Sequence, residues 1–419
     1  MTSALTLAAT VRRNTVLLSL TMALNWSVIV LMASLTTLTI GSLFGLPELA
    51  GLGFAMAAVA IGVGSIVTGR VMDRVGRRHA LMAAFVVGAI GALLVYFGVR
   101  AVSLPLALAG LLALSAGGGG ANLARVAGAD MYPPARRPRG IAFVLIGAAF
   151  GAVGAPIVFG PLLAAARGFG AEALAAPWPV AAGILLAGAA VLLLIRTDPR
   201  EIAERLRAAA EPTGSAAPAA RPLAELLRLP MVPLALLAAL LAQGVMTSVM
   251  AMAGLVLHQH GHDLGAVTLT VSIHFVGMFG LVLVVGRLVE AIGRFRSVLV
   301  GLLVLAGGVL LLLPGGQLLN FVPGMFAVGV GWNIAYVAAT AILADAARPA
   351  ERGRLLGASD MLSVLSAAGL SIGAGLILEA LGLPGLVAGG ALLALVPAAL
   401  IALNRGRLEG IVSAGARPG

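Results

Sequence analysis

The chain has 419 residues, 60% of them hydrophobic and 10% charged, with a mean hydropathy of +1.08 and a formal charge of +11. Soluble domains carry about 25% charged residues, so a water-soluble globule is excluded and most side chains must face lipid or one another. All 27 basic residues are arginine and cysteine is absent, which excludes Schiff-base lysines, a lysine-containing phosphate loop, disulfides and thiolate metal sites.

Apolar runs of membrane-spanning length recur along the chain. There are twelve, at 15–40, 49–71, 80–99, 104–129, 140–166, 178–195, 231–257, 265–285, 297–313, 318–344, 355–378 and 386–403. Their unbroken apolarity predicts helices, because barrel strands are short and alternate. The first run is too long, and lacks the flanks, for a removable signal peptide. Threading twelve spans with both ends on one side puts every arginine except Arg100 and Arg167 on that side. This is the positive-inside pattern, so both termini are expected in the cytoplasm of a bacterial inner membrane, and no nucleic-acid partner is needed to explain the charge.

Loop 2–3 carries Gly69, Asp73, Arg74, Gly76, Arg77 and Arg78, and its pattern returns in loop 8–9 as Gly286, Glu290, Gly293 and Arg294. Asp130, Pro134, Ala135, Arg137 and Arg139 of loop 4–5 return likewise as Asp345, Pro349, Ala350, Arg352 and Arg354. The offsets, 217 and 215, nearly agree. Between the two copies lies the longest polar stretch, Thr197 to Leu229. It reads as a short surface helix with Glu201 and Arg205 at i,i+4, followed by a flexible linker that begins near Glu211. The expected organisation is therefore an all-α membrane protein with twelve transmembrane helices in two pseudo-symmetric six-helix bundles, 1–196 and 230–419, joined by a cytoplasmic linker, 197–229.

The segment Gly69-x-x-x-Asp73-Arg74-x-Gly76-Arg77-Arg78 resembles the loop 2–3 signature of the major facilitator superfamily. Gly147, Pro156, Gly160 and Pro161 in span 5 resemble the antiporter pattern of its drug-efflux branch, although Pro156, Ala164 and Ala165 stand where that pattern has glycine. The resemblance implies alternating access, spans 1, 4, 7 and 10 lining a cavity, and a cytoplasmic latch. Asp73, Arg77 and Asp130 would form that latch in the first half, with Asp73 facing the start of span 11, and Glu290, Arg294 and Asp345 would repeat it in the second. Fixing topology alone is the simpler role for the same charges.

Polar and aromatic residues at mid-membrane depth on the expected lining spans are Asn25, Gln243, Asn333, Trp332 and Tyr336, the candidate substrate contacts. Ionisable residues inside the bundle are His274 and Asp360, the candidates for proton coupling. The central His274 is the favoured one, with a packed structural histidine as its plainer role, and Asp360, nearer the cytoplasmic edge, is expected in an interdomain charge network. Arg125 is expected to snorkel to the cytoplasm. His258, His260 and His262 alternate in an outer loop, read as exposed histidines rather than a metal site. One deep histidine makes neither a haem site nor an enzyme's catalytic set. The expectation is a monomeric, cofactor-free, secondary-active transporter that exports a small amphipathic solute in exchange for protons. Uptake, facilitated diffusion and a non-transporting receptor stay open beside it.

Overall fold

The computed structural model describes residues 2–46, 50–133, 136–165, 171–208, 221–229, 231–314 and 316–415. Pro134, Ala135, Arg167, Glu211 and the linker residues 209–220 fall outside this set, as do the side chains of Ala164, Ala165, Arg137, Pro349, Ala350, Arg352 and Arg354. All regular structure among the described residues is helical. Nine helices there are long and apolar enough to cross a membrane, and a tenth if the broken pair Leu264–Phe279 and Val284–Ile292 is one span. A further helix, Arg294–Leu310, is apolar but only 17 residues long. The 67-residue helix at the C-terminus is interrupted at Gly382, whose φ of 66° no right-handed helix contains.

Contacts divide the chain into two compact units. The first is Met1–Gly214 with Ala253–Phe275. It contains α1 (Thr2–Leu38, with a π-helical turn Thr39–Leu43), α2 (Ala50–Val75), α3 (Arg77–Arg100), α4 (Leu104–Ala121), α5 (Ala124–Asp130), α6 (Arg137–Ala165), α7 (Ala171–Ala175), α8 (Pro177–Leu193) and α9 (Pro199–Ala208). The second is Ser215–Met252 with Val276–Gly419. It contains α10 (Leu223–Leu226), most of α11 (Val232–Gln259), the end of α12 (Leu264–Phe279), α13 (Val282–Ile292), α14 (Arg294–Leu310), α15 (Leu318–Ala346) and α16 (Pro349–Gly415). Residues 253–275 thus group with the first unit, whereas the sequence assigned everything from 230 onward to the second. A close approach explains part of this: a Cβ on Gly254 would lie 2.7 Å from the Ser34 carbonyl of α1.

In lipid, helices gain little from burying apolar surface against one another, so close backbone approach carries the packing. The run Gly117-Gly118-Gly119-Gly120 of α4 shows how. A Cβ on Gly117 would fall 2.4 Å from the Gly88 nitrogen of α3, one on Gly119 2.1 Å from the Ile61 carbonyl of α2, and one on Gly120 2.3 Å from Thr68 Oγ1. Gly118 faces α1, where the nearest atom, Asn25 Oδ1, is 3.6 Å away. The Ser65 hydroxyl of α2 then donates to the Gly119 carbonyl at 2.9 Å. The same device joins α14 to α15 in the second unit, where a Cβ on Gly308 would sit 2.7 Å from the Val328 nitrogen. Its first-unit counterpart by the sequence offset of 217 is Gly91, 2.2 Å from the Leu114 nitrogen. The repeat is therefore carried in packing as well as in the loops.

Gly119→Ala is expected to destabilise the folded protein by about 1–3 kcal/mol, the usual penalty for overpacking, because its obstacle is backbone. Gly118→Ala meets only ordinary contact and is expected to change stability by under about 0.5 kcal/mol. Thermal unfolding of the two variants in the same detergent checks this, and equal melting temperatures would refute the assignment.

Candidate functional site

A charged cluster lies at the end of α2. Arg77 donates from Nη1 to Asp73 and from Nε to Asp130, both at 2.9 Å. Arg77 and Asp130 are mostly buried, with side chains 14% and 15% exposed, while Asp73 is 75% exposed. A guanidinium between two carboxylates gains charge-assisted bonds from both, and the better-shielded Asp130 is the stronger partner. Gly69 and Arg74 belong to the same helix end, where Arg74 is exposed.

A residue missed in the sequence completes this cluster. Asp198 accepts from the Arg77 and Arg78 backbone N–H groups at 3.1 and 3.0 Å, satisfying the open N-terminus of α3, and from the Arg200 N–H at 2.8 Å at the start of α9. Gly76 makes room for it: its φ is 95°, and a Cβ there would lie 2.8 Å from Asp198 Oδ2. Arg200 reaches back to the Asp73 carbonyl at 2.8 Å, while Arg13 and Arg78 donate to the carbonyls of Leu194 and Ile195 beyond the end of α8. The signal in the sequence was Asp198-Pro199, an N-cap followed by a first-turn proline. Within α9 the ion pair among the described residues is Arg200–Glu204 at 2.9 Å rather than Glu201–Arg205, and Arg200 also reaches the Asp73 carbonyl of α2.

The second unit repeats the cluster in part. Gly293 has a φ of 83°, and Arg294 pairs with Asp345 and donates to the Ala341 carbonyl. Glu290 is exposed and makes no ion pair among the described residues, so the expected three-way group is reduced to two. A different carboxylate is buried there. Glu351 accepts from the Arg221 backbone N–H and Nε, both at 3.0 Å, from its Nη2 at 2.8 Å, and from the Arg348 N–H at 3.0 Å. The last is the return bond of a capping box at the start of α16, and the others fasten the chain just before α10 to the same turn.

Of the five candidate substrate contacts, three come together in the second unit. The Trp332 Nε1–H donates to Gln243 Oε1 at 2.8 Å, and the Gln243 amide donates to Thr247 at 3.1 Å. Tyr336, one turn along α15, stacks on Trp332 with ring centroids 5.2 Å apart and donates its phenol to Asp360 at 2.8 Å. Phe279 closes edge-on against Trp332 at 6.2 Å. Asp360 therefore belongs to this polar–aromatic cluster, and no arginine pairs with it among the described residues. Asn333 lies about 100° round the helix from Trp332, is 2% exposed, and its Nδ2 has no hydrogen-bond partner among the described residues.

The other candidates lie in the first unit. Asn25 is 1% exposed, and its amide is committed to the Gly118 carbonyl and to Asn122 at 3.3 and 3.2 Å. His274 is fully enclosed beside Phe275, whose ring meets Trp26 edge-on at 5.3 Å. Arg125 is exposed on α5. In the loop between α11 and α12, His260 bonds back to the Val256 carbonyl at 2.7 Å, and no set of three potential metal ligands occurs among the described residues. A cavity of about 920 Å³ opens elsewhere in this unit, between α1, α6 and α9. In α6, a Cβ on Gly147 would lie 2.0 Å from the Ser19 carbonyl and one on Gly151 2.2 Å from the Ala23 carbonyl, so these glycines serve contact with α1; Gly160 has open space around it.

The Arg221 guanidinium, aided by the backbone bonds, holds the Glu351 carboxyl down at about 2, from an ordinary 4.5. A lowered carboxylate stabilises the fold fully above the unfolded value, and this is lost as pH falls from about 4.5 through about 2. Glu351→Gln is therefore expected to lower the melting temperature at pH 7 and to flatten its fall below pH 4.5. Superimposable acid profiles for variant and wild type would remove this tether from the stability of the second unit.

A family model for the Major Facilitator Superfamily matches residues 15–371 and 234–410. The chain is 31% identical over 378 residues, 88% of its length and 87% of the relative's, to the MFS-type transporter YdeG of Bacillus subtilis, described as uncharacterised. It is 28% identical, over 90% of its length and 91% of the relative's, to the riboflavin transporter RfnT of Brucella anthropi. Its fold matches a bacterial homologue of the human lysosomal transporter Spinster, in an inward-facing, unoccupied conformation, with a TM-score of 0.69 at 16% identity, covering 94% of this chain and 96% of that one. The chain belongs to the major facilitator superfamily: it is a multi-pass membrane transporter of a small molecule, not an enzyme.

Proposed function

We propose that this transporter carries a planar, partly aromatic organic solute by alternating access, and that Gln243, Trp332, Tyr336 and Asp360 form the core of its binding site. The observation that carries this reading is the Trp332–Tyr336 stack, with a hydrogen-bonding side chain at each end. A half-buried indole–phenol stack favours flat ligands, while the amide and carboxylate would recognise ring nitrogens, hydroxyls or amines at its edge. The unpartnered Asn333 amide supplies a further donor nearby in the chain. The likeness to a riboflavin transporter fits a heteroaromatic solute. Twelve crossings in two six-helix repeats, divided as 1–196, 197–229 and 230–419, with both termini cytoplasmic in a bacterial inner membrane and a monomeric state, complete the proposal. The Asp73–Arg77–Asp130 cluster, with Arg294–Asp345 as its partial repeat, would act as the latch.

Proton coupling is assigned to Asp360 before His274, because Asp360 is exposed and bonded to a candidate substrate residue, whereas His274 is enclosed. Export rests on the proline and glycine pattern of α6 alone; of the relatives named above, one is uncharacterised and one is a riboflavin transporter. Trp332→Ala should weaken binding of a cognate flat solute by about tenfold or more, since aromatic stacking on a base is worth about 1–3 kcal/mol. Tyr336→Phe should preserve most of the affinity but alter the pH dependence of flux. Ligand-induced thermal shifts over a panel that includes riboflavin, then flux into proteoliposomes under an imposed pH gradient, make the comparison. Full affinity in Trp332→Ala would place the site elsewhere, and flux indifferent to the gradient would leave a facilitator.

A further inference from the structure

The cavity between α1, α6 and α9 has no part in that substrate site, and its lining is of two kinds. Arg12, Arg136 and Arg139 reach it from three places: the start of α1, the turn after α5 and the first turn of α6. All three are exposed, and among the described residues none of them forms an ion pair and no carboxylate lines the cavity. Thr15 and Tyr132, which bond to one another at 3.1 Å, stand between them. Beyond this polar end the wall is apolar. Phe143 and Phe150 of α6 are 50% and 69% exposed, and Val16 and Leu20 of α1 are 61% and 45% exposed. From Arg139 to Phe150 the helix rises about 16 Å at 1.5 Å per residue, so charge and apolar surface follow one another along the axis of α6.

We propose that this cavity binds an anionic phospholipid, its phosphate held by Arg12, Arg136 and Arg139 and one acyl chain laid along Phe143, Ile146 and Phe150. Three uncompensated guanidiniums at one membrane edge demand an anion, and guanidinium matches phosphate in both charge and geometry. The apolar wall selects the lipid over a free anion, since a small phosphate would leave that wall unmatched. At about 920 Å³ the site has room for a headgroup and part of a chain. A lipid here would brace α1 against α6, the pair whose close approach Gly147 and Gly151 permit.

The test is native mass spectrometry of the full-length protein from neutral detergent, titrated with dioleoyl phosphatidylglycerol, dioleoyl phosphatidylcholine or glycerol 3-phosphate. Wild type should retain the anionic lipid in preference to the zwitterionic one. The combined variant Arg12→Gln, Arg136→Gln, Arg139→Gln should bind it about a hundredfold more weakly, at roughly fivefold per basic residue. A charge-matched variant, Arg70→Gln, Arg228→Gln, Arg287→Gln, should bind like wild type. Phe143→Glu keeps every arginine and places a carboxylate in the cavity; it too should lose the anionic lipid. Equal retention of the two lipids by wild type, or equal losses in the two triple variants, would overturn the proposal. Displacement of the lipid by glycerol 3-phosphate at comparable concentration would overturn it as well, by showing a small-anion site. A Phe143→Glu variant that binds normally would exclude this cavity.

Discussion

Backbone N–H and C=O groups inside a bilayer have no water to bond, so each span must be a complete helix and must find its neighbours by contact rather than by hydrophobic gain. That constraint makes the glycines of α4 decisive. Three consecutive spans meet around Gly117 to Gly120, and each of Gly117, Gly119 and Gly120 gives up its side chain to a different obstacle. Asn25 becomes intelligible in the same setting. A polar amide at that depth pairs with the nearest exposed carbonyl, and α4 offers Gly118 together with Asn122, where the helix breaks before α5.

Where spans leave the membrane the problem inverts, because each helix end exposes several unsatisfied backbone groups. The first unit solves this with a few charged residues that each serve two elements. Asp198 supplies acceptors to the starts of α3 and α9, and Arg200 returns a donor to the end of α2. Arg77 links α3 to α2 and α5 while its own N–H is held by Asp198. The signature residues are thus one half of a connected structure, whose other half comes from the chain following α8. The second unit reaches a similar end with other residues: Glu351 caps α16, and Arg221 binds it from the segment before α10.

What the sequence disclosed follows from this division. Spans are legible because hydropathy is local, and Arg77 with Asp73 is legible because i,i+4 neighbours on a helix must meet. Asp130 was reachable because the repeat matches it to Asp345 and the resemblance places it beside Arg77. Asp198 and Arg221 were not, since their partners lie more than a hundred residues away and no periodicity links a loop carboxylate to a distant helix start. Glu290 shows the opposite failure: a residue in register with Asp73 was expected to share its partner, yet the pairing of Arg294 with Asp345 leaves it outside. Register fixes where a side chain begins and does not fix which partner a flexible arginine takes.

The polar–aromatic cluster of the second unit carries this reasoning into the site itself. Mid-membrane depth and residue type suggested five contacts, but depth says nothing about direction around a helix. Trp332 and Tyr336, four residues apart, share a face and stack, whereas Asn333 is buried about 100° round the helix and Asn25 is consumed by packing. The same geometry draws in Asp360, which the sequence assigned to a charge network. A carboxylate that takes its hydrogen bond from a phenol stacked on an indole is sensitive to anything that moves either ring. One hydrogen bond, from Tyr336 to Asp360, thus ties a carboxylate of α16 to the aromatic stack of α15, so neither helix can shift without disturbing the other's polar contact.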